Sequence, residues 1–384
     1  MKPAALSAIL LASRMAAAAV FPLDAGSRLA DWDIIFKSPA ATPSEGLPIG
    51  NGRMGTMVWT VPASIVFQIN RTDNFTANRL HDGQYIARQA SPNATDQLLS
   101  LASFSLTFDR KVFDAPTRFE QRLSLSNAQV KLHAETRSGA LDADAFVAAG
   151  DDVLSLRVMD HRERRGVAVA ELSLWRPPDS RNGTQTWRYR MAERSGKIVL
   201  THDVTEGKFV SRYAVAVGVE GRAVTFEMTD PRHARLRIAD GPGPYRVLLA
   251  SASANDATDV AQKAIASLTR AMRTDYAGAL AAHRAWWKAF WNRSFLSAHT
   301  SDGTADYLTR LYNLHLYLMA SSSRGALPPK FNGSIWTTMQ DQRRWGAQYW
   351  LWHTESLYYP LLSANQIELT DPYFRMYRDQ LPRA

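Results

Sequence analysis

From about residue 50 to 253, apolar and polar residues alternate with a period near two. The runs "MGTMVWTV" (54–61), "SIVFQIN" (64–70), "LSLASFSLTFD" (99–109), "QRLSLSNAQVKLHAE" (121–135) and "DDVLSLRVM" (151–159) follow it. So do "VAVAELSLW" (167–175), "YAVAVGVEG" (213–221), "AVTFEM" (223–228), "ARLRIA" (234–239) and "YRVLLASAS" (245–253). Side chains of a strand point alternately to its two faces, so each run predicts a strand with one buried face. Turn formers such as "EGR" (220–222) and "DGPGP" (240–244) separate them. No helical pattern of 10–15 residues intervenes, so the sheets are expected to be antiparallel and stacked in one large sandwich over residues 28–255.

The texture then changes. Val260, Ala264, Leu268, Met272, Tyr276, Leu280, Trp287 and Trp291 recur at a spacing near four. That predicts an amphipathic helix, or two with a break near Thr274, linking the sandwich to the C-terminal part of the chain (256–297). A second helix is expected over 304–321, with Leu308, Leu311, Leu314, His315 and Leu318 on one side. A loop carrying Gly325, Pro328, Pro329 and Gly333 leads to a third, from near Gly346 to near Ala364. A fourth opens at "LTDPYFRMY" (369–377), where Thr370 or Asp371 can cap and Pro372 is tolerated. Three or so helices after so long a β region enclose little core, so the helical domain (298–384) is expected to be incomplete.

Composition narrows the function. The 384 residues include no cysteine, which excludes disulfides and thiolate metal sites. The net charge of +9 is scattered, densest at "HRERRG" (161–166), and forms no stripe that would suggest nucleic acid. Neither metal-ligand spacing nor a phosphate-cradling loop is evident, so no cofactor is expected. Lys2, the apolar run at 6–20 and small residues near Ala17–Ala19 predict a secretory signal peptide over 1–20, interrupted by Arg14. No later segment reaches the ~18 apolar residues that would span a membrane, so no membrane partner is expected. Six Asn-x-Ser/Thr sequons, at Asn70, Asn74, Asn93, Asn182, Asn292 and Asn332, fit export.

"LPIGNGRMG" (47–55) and "QINRTD" (68–73) resemble the N-terminal signature of the glycoside hydrolase family 95 α-L-fucosidases and their uncharacterised relatives. Gly50, Gly52 and Gly55 would equally serve tight turns in any sandwich. "HRAWWKAFWNRSFLS" (283–297) is similar to that family's linker helix, and 307–336 and 345–369 to its first two barrel helices. The resemblance implies a multidomain α and β protein: an N-terminal antiparallel β-supersandwich, a helical linker, and the first helices of an (α/α)6 barrel. It also implies inverting hydrolysis of glycosidic bonds in an oligosaccharide or polysaccharide, fucose- or galactose-type. In the fucosidases a His-x-Asn-x-Asn pattern opens the second barrel helix and positions the catalytic water. Here Trp350-Leu351-Trp352-His353-Thr354 stands in that place, without either asparagine. The family's general-acid Glu and its partner Asp are expected beyond Ala384.

An inverting site needs two carboxyl-bearing sides about 6.5–9.5 Å apart. The stretch "RRWGAQYWLWHTESLYYP" (343–360) gathers flat rings around His353 and Glu355. With Asp341 these are the candidate catalytic groups, His353 or Glu355 taking over the positioning of water. Trp336, Trp350, Trp352 and Gln348 are the candidate sugar contacts. Each has a plainer reading: Asp341 paired with Arg343 or Arg344, His353 hydrogen-bonded in a core, Glu355 facing solvent or a buried arginine, the tryptophans as packing. The other function class the sequence admits is carbohydrate binding without turnover, as a pseudoenzyme fragment.

Overall fold

The computed structural model describes residues 25–75, 98–163, 165–182, 185–341 and 349–383. The leader-like segment 1–20, Asn93, Arg343, Arg344, Trp345 and Gln348 lie outside the described residues. Two antiparallel sheets dominate. The ten-stranded one begins with β1 (Ile34–Phe36), β6 (Arg118–Ser124), β7 (Gln129–Thr136), β8 (Gly139–Val147) and β9 (Val153–Asp160). It continues through β17 (Tyr245–Ser253), β14 (Phe209–Glu220), β13 (Lys197–Glu206), β12 (Gln185–Arg194) and β11 (Asp179–Asn182). The seven-stranded one runs β15 (Val224–Asp230), β16 (His233–Ile238), β10 (Ala168–Ser173), β5 (Ala102–Thr107), β4 (Ser64–Arg71), β3 (Met54–Val61) and β2 (Leu47–Gly50). Phe67, Phe104 and Leu236 of one sheet share a buried core with Leu156, Val215 and Leu249 of the other.

Each alternating run in the sequence overlaps a strand, and the run at 121–135 lies across two, β6 and β7. The alternation that marks β8, β12 and β13 is weaker. In β8 the inward residues Leu141, Ala143 and Ala145 are mostly small, while in β13 the buried row includes His202. The sequons at Asn70 and Asn74 are buried, their amides donating to the Gln68 and Leu99 carbonyls at 2.9 and 3.0 Å.

The linker is two helices, α2 (Val260–Arg273) and α3 (Tyr276–Trp291), after the short α1 (Ala25–Leu29). The chain breaks at Thr274, and Asp259 and Asp275 accept from the amides of Gln262 and Gly278 at 2.9 and 2.7 Å. Those carboxylates satisfy amides that a helix start leaves unpaired. Val260, Ala264 and Leu268 of α2 cover the outer face of the ten-stranded sheet. Trp287, Phe290 and Trp291 of α3 join the main core, and the Trp291 indole donates to the Leu125 carbonyl at 3.0 Å.

Three details of the helical part depart from the sequence reading. In α4 (Thr304–Ser322) the buried face carries Thr309, Asn313, Leu316, Tyr317 and Ala320, whereas Leu308 and Leu311 are exposed. Thr309 and Asn313 are buried because they pair with the backbone of the preceding segment, Asn313 bonding both ways with Leu296 at 2.8 and 3.0 Å. In place of one helix to Ala364 stand two short ones, α5 (Leu351–Glu355) and α6 (Tyr359–Ser363). Pro360 sits in the first turn of α6; its missing N–H and ring forbid a continuous helix through the preceding turn. At α7 (Asp371–Gln380), Pro372 stands in the first turn, but the Thr370 hydroxyl donates back to Ile367 at 2.6 Å and caps nothing. These helices close no barrel among the described residues.

The sandwich and the helical part meet at "LPIGNGRMG". The Tyr317 hydroxyl donates to the Pro48 carbonyl at 2.6 Å and the Trp336 indole to Ile49 at 3.0 Å. The Gly52 amide donates to Ser321 at 2.7 Å, and the Arg324 amide returns to Gly52 at 3.1 Å. A Cβ on Gly50 would lie 2.4 Å from the Ser321 carbonyl oxygen, and Gly52 has φ +86 beside Arg324. Asn51 fastens the turn, accepting from the amides of Arg53 and Met54 and donating to Asp151 and Asp152. Arg324 lies 3.8 Å over the Trp286 ring, where burial and then Arg53 pull its guanidinium down to about 9.

Behind this seam the buried Arg71 bridges Asp73, Asp152 and Asp256 at 2.8, 2.8 and 2.9 Å. Burial alone would raise the Asp73 carboxyl, but Arg71, Ser253 and Asn255 outweigh it and hold it at about 2. Its contribution to stability is therefore complete above its ordinary value of 3.8 and is lost as pH falls toward about 2. An acid titration followed by circular dichroism should show the fold weakening in that window, and Asp73→Asn should flatten that part of the curve. Gly50→Ala should destabilise the protein by at least about 2 kcal/mol, because the added Cβ meets backbone that cannot give way. Denaturant unfolding measures the loss; unchanged stability would mean the seam can open without cost.

Candidate functional site

A cleft of about 460 Å³ opens where β2 and β3 meet α4 and the loop 325–341. Pro48 and Met57 form its sandwich side, His315, Leu318 and Met319 its helical side, and Lys330, Phe331 and Trp336 the loop side. Trp336 is nearly buried and is fixed in orientation by its bond to Ile49. Lys330 is wholly buried, with its ammonium 5.0 Å from the Tyr349 ring centroid and 5.5 Å from that of Phe331. A cation held over ring faces is stabilised by their quadrupoles. Tyr349 is fixed in turn by donating to the Pro328 carbonyl at 3.0 Å.

His315 is the titratable group on the helical side of the cleft. Burial lowers its pKa from the ordinary histidine value, which keeps the ring neutral at pH 7, and its Nε2 has no hydrogen-bond partner. A neutral imidazole with a free ring nitrogen suits a sugar hydroxyl, which can donate or accept.

The predicted residues are dispersed. Trp336 lines the cleft, and His353 lies exposed outside it, its ring 5.0 Å from that of Phe331. Trp350 is half-buried just before α5, and Trp352 is 79% exposed. Glu355 is half-buried, and its hydrogen bond to the Tyr359 hydroxyl raises that phenol above the ordinary value. Asp341 is held away from all of these. Its carboxylate takes two bonds from Arg176, one from the Trp175 indole at 2.6 Å and one from the Ser100 amide at 3.3 Å. Arg176 is buried among Trp175, Trp187 and Tyr189, at 4.9, 5.8 and 5.7 Å from the ring centroids. Burial would lower its pKa, and Asp341 more than reverses that. Asp341 thus pins the loop 325–341 to the sandwich through a partner far away in sequence; Arg343 and Arg344, its neighbours in the sequence, lie outside the described residues.

His315, Lys330 and Phe331 are cleft residues that sequence reasoning did not select. His315 was hidden in the leucine row of its helix, and "PPKFNG" (328–333) reads as an ordinary turn-rich loop. Among the described residues no group of three or more His, Asp or Glu side chains is arranged to hold a metal ion.

No family profile matches the chain, and no curated protein matches it. Solved structures do. A protein from the human microbiome described as a kojibiose phosphorylase aligns with TM-score 0.56 at 10% identity over 79% of this chain. A bacterial glucoamylase complexed with acarbose aligns over 91% at 10% identity, TM-score 0.46. A family GH92 glycosyl hydrolase aligns over 77% at 14% identity, TM-score 0.42. This chain spans 43%, 54% and 41% of those three chains respectively. At such identities the likeness is one of fold, and it rests on the first.

If Asp341 is the anchor of the loop, Asp341→Asn leaves a buried guanidinium without its carboxylate and should cost about 3–5 kcal/mol. Limited proteolysis should then cut the loop 325–341 faster while the sandwich stays folded. Wild-type stability and loop protection in the variant would remove that role.

Proposed function

We propose that this protein acts on complex carbohydrates as a glycoside-hydrolase-like protein, and that the cleft between β2–β3, α4 and the loop 325–341 binds the sugar. The observation that carries this reading is the cleft itself: two rings, Phe331 and the bonded Trp336, beside a neutral histidine with an unpaired nitrogen, His315. Aromatic platforms with few convergent polar groups are what a sugar ring requires, since its C–H faces are apolar and its edge is all hydroxyls. The fold likeness to a protein described as a kojibiose phosphorylase supports the same class. Inverting hydrolysis, a fucose- or galactose-type substrate and secretion are the finer parts of the proposal. They are supported by the "LPIGNGRMG" resemblance and the leader-like N-terminus.

In this reading Phe331 and Trp336 hold the ring, His315 bonds a hydroxyl, and His353 stands at the rim behind Phe331. Asp341 positions the loop and is not itself a reacting group. The second reading, binding without turnover, is favoured by one feature: none of the described residues lining the cleft is a carboxylate. An inverting pair must come from outside that lining.

Isothermal titration with methyl fucoside, galactoside and glucoside tests both. Phe331→Ala and Trp336→Ala should each weaken the best ligand about tenfold, or about 1.4 kcal/mol. His353→Ala should matter less than either, and aryl glycosides mixed with this chain decide between the two readings: release of phenol above buffer supports hydrolysis, and none supports binding alone. Sugar affinity that survives both ring substitutions would move the site elsewhere, and turnover would abandon the binding-only reading.

A further inference from the structure

A second cavity, of about 370 Å³, lies on the other side of the linker, between the α2–α3 elbow and the outer face of the ten-stranded sheet. Its floor is Phe146 of β8, Ser155 of β9 and Leu248 and Arg246 of β17. Ser155 pairs directly with Leu248 in the antiparallel ladder, so Arg246, two residues along, shares its face. The roof includes Ala279, Ala282 and His283 of α3.

Three of the lining side chains carry a polar atom with no hydrogen-bond partner: Ser155 Oγ, His283 Nδ1 and Arg246 Nη1. All three residues are more than nine-tenths buried, at 3%, 2% and 4% exposure. Their remaining bonds fix what each can offer. His283 Nε2 lies 2.7 Å from the Asn127 carbonyl, which only accepts, so the proton sits on Nε2 and Nδ1 presents a lone pair. Burial keeps that ring neutral, with its pKa pushed down to about 4. Arg246 spends Nε on Glu220 at 2.7 Å and Nη2 on the carbonyls of Ala271 and Thr274 at 3.0 and 2.7 Å. Its charge is thereby matched by Glu220, and Nη1 is left as an N–H donor. Ser155 can do either.

Asp151 and Arg270, which also line the cavity, are paired with each other. The unpaired atoms therefore offer one acceptor, one donor and one hydroxyl, set in a wall of Phe146, Leu248, Ala279 and Ala282. A carboxylate would face the His283 lone pair and an arginine already neutralised. An apolar molecule would leave all three atoms unpaired, and buried polar groups without partners are costly. A neutral ring bearing several hydroxyls pairs with all three, and the volume is at the small end of ligand pockets. We infer that this cavity binds a neutral, polyhydroxylated ring of monosaccharide size, with His283 accepting, Arg246 donating and Ser155 bonding a third hydroxyl. The inference does not depend on the cleft beside Trp336.

Saturation-transfer NMR on the whole chain, with methyl glucoside, methyl mannoside, methyl fucoside and myo-inositol at millimolar concentration, provides the test. In a Phe331→Ala, Trp336→Ala background, which removes the contribution of the other cleft, transfer to at least one of these probes should persist, and adding Ala279→Phe, which fills the cavity without removing a polar partner, should abolish it. Ser155→Ala should weaken the same probe about fivefold, the size of one lost hydrogen bond. If Ala279→Phe fails to fold by thermal unfolding, Ser155→Ala decides alone. Transfer already lost in that background overturns this inference and leaves the proposed function standing. Transfer that persists in that background and is lost on adding Ala279→Phe supports the inference and leaves the cleft to the isothermal titration. Transfer from none of the four probes, or transfer indifferent to all variants, overturns it.

Discussion

An approach of two backbones, closer than any side chain permits, holds this protein together. The carbonyl of Ser321 occupies the space where a Cβ of Gly50 would be, and the next peptides exchange hydrogen bonds through Gly52 and Arg324. From that contact the rest takes its position. The end of α4 is fixed against β2, the loop after it begins beside Gly52, and Trp336 reaches the Ile49 carbonyl next along the strand. The cleft lies between the elements that these bonds join.

Buried charge sharpens the arrangement. Arg71 ties β4 to Asp152 and Asp256, and Asn51 and Arg53 bond to the same Asp152, so the seam's turn and the ion cluster share a carboxylate. Arg176 and Asp341 repeat the device at the far end of the loop. A buried pair of this kind contributes modest net stability but penalises any arrangement that separates the charges. The protein thus uses ions as locks on geometry more than as a source of stability.

Much of this was legible in the sequence. Period-two runs marked the antiparallel strands, a helical period with a break at Thr274 marked α2 and α3, and the tryptophans at 287 and 291 announced the linker's buried face. "LPIGNGRMG" was recognisable as structural, though its glycines read as turns when Gly50 in fact serves a close approach. What stayed illegible depended on contacts distant in sequence. Nothing local to Asp341 reveals Arg176, and nothing local to Thr309 and Asn313 reveals the segment that satisfies them and turns Leu308 and Leu311 outward. His315 sits one residue from Leu314 and Leu316, so periodicity assigns it to the core while the tertiary packing sets it in a cleft wall.

The burial of Asn70 and Asn74 bears on how the protein can be made. Oligosaccharide is transferred to an Asn-x-Ser/Thr sequence in the unfolded chain as it enters a eukaryotic secretory pathway, before β4 has a neighbour. A glycan of many sugars at Asn70 would have to occupy the interior bonded to Gln68 and Ser100, and at Asn74 the space against Leu99. Neither can be reconciled with the closed sandwich. A host that glycosylates at these sites would therefore produce a chain committed to misfolding at the moment of modification, whereas a host without that machinery leaves the fold accessible.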